Sequence, residues 1–128
     1  MNKRSLMMMP GMILFMAATF MEVRITADVI NNITSRTADC SYSRSITNVK
    51  VLEHGVCVNT EGVPELEKEG VKVFRGEDQP RTDPGVSRIK SAVTLTRLEP
   101  ATKYFLRAWV KTADGETEYS NETWFTTR

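Results

Sequence analysis

From Glu22 to the C-terminus the apolar residues of this chain recur at every second position, and that period decides what it can fold into. The series runs Val23, Ile25, Ala27, Val29; then Ala38, Cys40, Tyr42; then Leu52, Val56, Val58. It continues through Val71 and Val73, through Ile89, Val93 and Leu95, through Tyr104, Leu106, Ala108 and Val110, and ends at Thr123 and Phe125. A period of two puts one face of each segment inward and the other in solvent, which is the signature of half-buried strands. Turn chemistry separates the segments at Asn31-Asn32, Glu61-Gly62, Gly76-Glu77-Asp78, Asp83-Pro84-Gly85, Glu99-Pro100 and Asp114-Gly115. About seven short strands in roughly 100 residues predict an all-β fold, a two-sheet antiparallel β-sandwich of the immunoglobulin-like kind. The stretch Pro64 to Gly70 has room for one helical turn and does not change that class.

The last hairpin can be given a register. Asp114-Gly115 is a preferred two-residue type I′ turn, and pairing Ala113 with Glu116 sets Phe105 against Trp124, Arg107 against Glu122, Trp109 against Ser120 and Lys111 against Glu118. An aromatic pair and two opposite-charge pairs on one face favour this register. The other face carries Tyr104 with Phe125, Leu106 with Thr123 and Val110 with Tyr119, and reads as core. Asn121 opposite Ala108 fits that face poorly and marks a place for a bulge.

The first 21 residues are of another kind. All seven methionines lie there, and Asn2-Lys3-Arg4 is followed by an apolar run from Leu6 to Phe20 with no carboxylate before Glu22. A basic start followed by a short apolar run is the physical form of a secretory signal. As a helix the run would extend about 22 Å, against a hydrocarbon core of about 30 Å, and Pro10-Gly11 weakens that helix further. Residues 1–21 are therefore read as a signal peptide or N-terminal hydrophobic leader, and 22–128 as the sandwich. Ala17-Ala18-Thr19 supplies small residues for cleavage at imperfect spacing; the competing reading is a start codon assigned too far upstream. Export places the domain outside the cytoplasm (secreted, periplasmic or at the cell surface), touching membrane only through an uncleaved leader.

Composition narrows the function. With 17 Lys+Arg against 16 Asp+Glu, a net charge of +1 offers no basic footprint for nucleic acid. One histidine and two cysteines cannot build a zinc site. There is no Gly-rich phosphate loop, no Gly-x-Ser-x-Gly elbow and no metal-binding His pair. No cofactor and no metal are expected, and an enzyme reading is disfavoured.

Three stretches together carry a resemblance: Glu53-His54-Gly55-Val56-Cys57-Val58-Asn59-Thr60, Leu98-Glu99-Pro100-Ala101-Thr102-Lys103-Tyr104-Phe105-Leu106-Arg107-Ala108-Trp109, and Ser120-Asn121-Glu122-Thr123-Trp124-Phe125-Thr126-Thr127. In this order and spacing the chain resembles a fibronectin type III domain of the variety found in surface and secreted proteins of Bacteroides-like bacteria. The likeness covers roughly Glu22 to Arg128 and departs from the pattern between Glu61 and Val86. It implies structural roles for Leu98, Pro100 and Tyr104. The physical account agrees: Tyr104 opens a strand with its hydroxyl in reach of the preceding turn, Pro100 presets that turn, and Leu98 plugs the end of the sandwich.

Candidate sites follow from chemistry. Cys40 and Cys57 could form a disulfide in an oxidising compartment; against this, Cys57 points away from the face claimed by Leu52, Val56 and Val58, leaving two separate half-buried thiols. His54 sits beside Glu53 and, by strand geometry, points away from Cys57, which denies it a nucleophile. The carboxylates of Glu61, Glu65, Glu67 and Glu69 read as a solvated edge, not a calcium loop. Arg75-Gly76-Glu77 is not the integrin-binding tripeptide, and the sequons at Asn32 and Asn121 count as chance in a bacterial host. Phe105, Trp109 and Trp124, flanking Arg107, share the outward face of one sheet, where aromatics stack on sugars or anchor proteins. The expectation is a non-catalytic module that binds an envelope or host protein, or a glycan, at the cell envelope. A structural spacer with no ligand of its own is the alternative, in which case the aromatics only cover one another.

Overall fold

In the computed structural model, which describes residues 22–77 and 86–128, each of the seven alternating segments is a strand. They are β1 (Glu22–Asn31), β2 (Ala38–Thr47), β3 (Val51–Asn59), β4 (Lys72–Arg75), β5 (Val86–Leu95), β6 (Lys103–Thr112), and a last segment divided into β7 (Thr117–Tyr119) and β8 (Thr123–Thr126). The leader and the Asp83-Pro84-Gly85 turn lie outside the described residues. One sheet has the order β1-β2-β5; the other runs β4-β3-β6, with β7 and β8 both on the far side of β6. Every pairing is antiparallel. This is the two-sheet sandwich that the period-two pattern predicts.

Alternation is clearest in β2, where Ala38, Cys40, Tyr42, Arg44 and Ile46 are buried and the residues between them are half-exposed. Facing them are Val56 and Val58 of β3, Leu106 and Ala108 of β6 and Phe125 of β8, and with Ala38, Cys40, Tyr42 and the neighbouring Leu95 of β5 these make the core. Leu52 corrects the sequence reading. It was expected inward, but the β3–β6 register shifts between Val51 and Glu53, and Leu52 is 51% exposed. A one-residue slip flips a side chain to the other face.

The last hairpin keeps part of the expected register and loses part. Phe105 pairs with Trp124, Tyr104 with Phe125 and Leu106 with Thr123 as derived. Nearer the turn, Trp109 pairs with Tyr119, Val110 with Glu118 and Lys111 with Thr117, one residue off the expected partners. The turn is the cause. Thr112 N donates to Glu116 O at 3.0 Å, which closes a three-residue loop over Ala113, Asp114 and Gly115. Gly115 takes φ +91°, the left-handed residue that such a loop needs. The Asp114 carboxylate accepts from Glu116 N and from the Thr112 hydroxyl, and the latter bond holds it below its ordinary pKa. The slip is undone between β7 and β8, where Ser120 exchanges two bonds with Ala108: its N–H donates to Ala108 O at 2.9 Å, and its Oγ accepts from Ala108 N at 2.8 Å.

Candidate functional site

Along β6 the inward residues Tyr104, Leu106, Ala108 and Val110 leave Phe105, Arg107 and Trp109 on the outer face of the five-stranded sheet. The segment after β3 then crosses that face. Asn59 starts it with a reciprocal pair, its Nδ2 donating to Gly62 O and its Oδ1 accepting from Gly62 N, both at 2.9 Å. Gly62 and Val63 follow at φ +101° and +46°, turning the chain back over the sheet. Three contacts bind this strap down. Val63 N donates to Glu122 Oε2 at 2.5 Å, Leu66 N donates to the Tyr119 hydroxyl at 3.0 Å, and the Pro64 carbonyl accepts from Cys57 Sγ at 3.6 Å. Pro64 is fully buried, while Glu61, Glu65, Glu67 and Glu69 all face solvent.

Trp109 is not on the accessible surface where alternation puts it. The indole is on the outward side of its strand, yet it is 0% exposed. Gly55 and Tyr119 lie opposite it on either side, and the Arg75 guanidinium sits 5.9 Å over its ring. Sequence alternation gives the side of a sheet, not what lies on top of it. Trp109 is therefore not part of an accessible surface. Its Nε1–H is buried and bonds to nothing among the described residues. Gly55 has its own reason in the same row: a Cβ there would strike the Phe74 carbonyl oxygen and lie 2.9 Å from Arg75 Cα.

Arg107 is also diverted. Instead of pairing with Glu122, its guanidinium stacks over the Tyr119 ring at 4.4 Å, with Nη1 3.5 Å from the Pro64 carbonyl. Glu122 is spent on Val63 N.

What stays open is the far end of the face. Trp124 is 59% exposed and pairs with the half-buried Phe105. Lys103, one alternate position before Phe105, lays its ammonium 4.4 Å over the Trp124 ring and 5.0 Å over the Phe105 ring. Each such contact contributes about 0.5–1 kcal/mol at an exposed site. The result is a two-ring platform with a cation on it, carried by paired strands. Lys103 was not singled out from sequence, although its spacing from Phe105 and the Phe105–Trp124 register place it there. The strap, signalled only by Asn59-x-x-Gly62, was not foreseen as a cover.

The remaining candidates are structural. The Tyr104 hydroxyl accepts from Glu99 N at 2.8 Å, Leu98 is fully buried beneath that corner, and the Pro100 carbonyl accepts from the Thr102 hydroxyl at 2.8 Å. The Cys40–Cys57 disulfide is not formed: both thiols are free and buried. Cys40 packs in the sandwich core, whereas Cys57 lies under the strap with Pro64 on the other side of its sheet. Neither is half-buried as expected, and burial pushes each thiol up to about 12. His54 points inward and shares a 2.5 Å hydrogen bond with the Tyr42 hydroxyl. The described residues bring together no metal-binding group of His, Cys, Asp and Glu, and no described helix is long and apolar enough to cross a membrane.

Sheet orders β1-β2-β5 and β4-β3-β6-β7/β8, with a tyrosine corner between the sheets, define a fibronectin type III-like β-sandwich. The chain is similar in structure to the sensor domain of the anti-sigma factor RsgI4 in Pseudobacteroides cellulosolvens, at 19% identity and TM-score 0.50, covering 83% of this chain and 89% of that one. It is equally similar to the fibronectin type III domain of human fibronectin type III domain containing protein 3, at 18% identity and TM-score 0.52, covering 81% and 84%. No protein-family model and no curated protein matches the chain. Identities this low carry the fold and nothing finer.

Proposed function

We propose that this chain is a non-catalytic, extracytoplasmic recognition module that binds a glycan or a protein of the cell envelope or host through the platform of Trp124, Phe105 and Lys103. The observation that carries the reading is Trp124 itself: the largest side-chain type, 59% exposed, on a strand whose other face is core. A large aromatic left in water on a rigid strand is the form that interface anchors take. Arg107 belongs beside the platform as a support, held to Tyr119 and the strap, and Trp109 is buried. The non-catalytic part rests on His54, the one imidazole, being turned into the sandwich, where its Nδ1 is engaged by the Tyr42 hydroxyl and Cys57 lies on the other side of its sheet. The leader over residues 1–21 and the likeness to surface-protein domains support export. The fold is similar to that of a domain named as a sensor domain.

The test is a binding screen of the full chain against immobilised glycans and purified envelope and host-surface proteins, run beside Trp124→Ala. A ligand held by the wild type and lost by the variant supports the reading. A ligand held equally by both moves the site, first to the 420 Å³ hollow between strap residues Glu65–Lys68 and Lys111, Thr117 and Tyr119. No ligand for either leaves the spacer as the function.

A further inference from the structure

The platform carries a charge that rests on rings. Lys103 opens β6 and is exposed, and its ammonium lies 4.4 Å over the Trp124 ring and 5.0 Å over the Phe105 ring. The ion pairs among the described residues are Arg24–Glu22 and Arg75–Glu53, so Lys103 is paired with no described carboxylate. Glu122, the acidic residue two positions before Trp124, is engaged by Val63 N at 2.5 Å. Thr126, opposite Lys103 in the register, adds an exposed hydroxyl on the side of the sheet that carries Trp124.

The extent of the apolar contact selects the kind of ligand. The exposed large apolar side chains among the described residues are Val29, Leu52, Val63 and Trp124. Val29 belongs to the other sheet. Leu52 lies at the opposite end of β3 from Asn59, the partner of Phe105. The platform is therefore about two rings wide with a polar rim. A stable protein interface needs about 800 Å² from each partner around an apolar centre, and this surface lacks that centre. A pyranose needs only a ring-sized contact: its C–H face lies on an aromatic face while its hydroxyls meet the polar rim.

The charge selects among sugars. Trp124 stays 59% exposed with the ammonium over it, so the cation covers only part of the indole. A neutral sugar that takes the whole ring displaces the ammonium and forfeits its ring contacts. A sugar with a carboxylate set directly on its ring leaves the ammonium in place and adds a charge-assisted hydrogen bond to it.

We infer that the platform takes an acidic glycan of the uronate class, with Trp124 and Phe105 beneath the sugar and Lys103 as the residue that selects its charge. The inference rests on the platform being the binding site and adds to it the class of ligand.

The test titrates the full chain with sodium polygalacturonate, sodium alginate and sodium polyglucuronate, each beside its carboxyl-reduced neutral counterpart, and follows tryptophan emission. Of the two tryptophans Trp124 is exposed and Trp109 buried, so a sugar laid on the platform is read through Trp124. At least one polyuronate is expected to bind with a saturating change in emission and a Kd about tenfold or more below that of its reduced form. Raising sodium chloride from about 0.05 M to about 0.5 M narrows that preference. Lys103→Met, which keeps an apolar stem over the rings, abolishes it, and Lys103→Arg keeps it; the reduced glycan reads the same preference without any variant. Equal affinity for charged and reduced forms, a preference retained by Lys103→Met, or binding of none of the polyuronates overturns the inference. The two readings fail apart. A neutral glycan or a protein that is lost with Trp124→Ala leaves the platform standing and removes the uronate, whereas a polyuronate held equally by Trp124→Ala removes the platform and the inference with it.

Discussion

Replacing Trp109 by alanine separates what the structure says from what strand alternation alone says. A buried aromatic of this size removes about 150–250 Å² from water, which at about 25 cal/mol per Å² corresponds to about 4–6 kcal/mol. Deleting the indole also removes its Nε1–H, buried without a partner, and relieving that group returns about 1–3 kcal/mol. The expected net loss is about 3 kcal/mol, within the range for aromatic truncations in cores. Trp109→Phe keeps most of the ring and drops the orphan N–H, so it should cost about 1 kcal/mol or less. Trp124→Ala, at a position 59% exposed, should cost about 1 kcal/mol, part of it the Lys103 contact. The assay is urea denaturation of the three variants and the wild type, followed by circular dichroism. A Trp109→Ala midpoint close to wild type, or a Trp124→Ala loss larger than that of Trp109→Ala, would refute the burial of Trp109.

Three further outcomes are expected. Tyr104→Phe leaves Glu99 N–H without its 2.8 Å acceptor and should cost about 1–3 kcal/mol; an unchanged denaturation midpoint would deny Tyr104 its place at the corner. Cys40 and Cys57, ordinarily near 9 and held at about 12 by burial, keep their protons in the folded chain while the unfolded chain loses them. Stability should therefore be intact below pH 9 and fall as pH climbs from 9 toward 12, by about 1.4 kcal/mol per pH unit per thiol, and neither thiol should be alkylated in the native protein at pH 8; ready native alkylation would contradict their burial. Gly55→Ala drives a Cβ into the Phe74 carbonyl and should break the β3–β4 pairing, read as loss of amide-exchange protection in β4; retained protection would show that the strand has room.

Much of the fold was legible because a period of two is a backbone property. Every alternating segment is a strand, and the described turn residues at Glu61-Gly62, Glu99-Pro100 and Asp114-Gly115 fall between them. The misses have two physical origins: local turn and bulge geometry that alternation does not encode, and contacts between segments distant in sequence. Gly115 in a three-residue loop slipped Trp109 onto Tyr119, and the exchange between Ser120 and Ala108 restored the register only from Thr123 onward. Leu52 left the core at an irregularity that no composition rule marks. Trp109 and Cys57 lie on the outward side that alternation assigns, but both are buried there, Cys57 against Pro64 of the strap and Trp109 with the Arg75 guanidinium over its ring. Of the site, Phe105 opposite Trp124 was readable from the hairpin, and the same register with the spacing of two places Lys103 beside them. Arg44 was not foreseen as buried: an arginine between serines reads as a surface residue, yet the strict alternation of β2 turns it inward.

The recognition reading is tested most directly by affinity at one residue. With the ligand that the wild type captures, the Kd of Trp124→Ala should rise about 30-fold or more, equivalent to about 2 kcal/mol, while circular dichroism shows the variant folded under the same conditions. Lys103→Ala should weaken the same ligand to a smaller degree. A folded Trp124→Ala variant whose Kd matches the wild type would contradict the account.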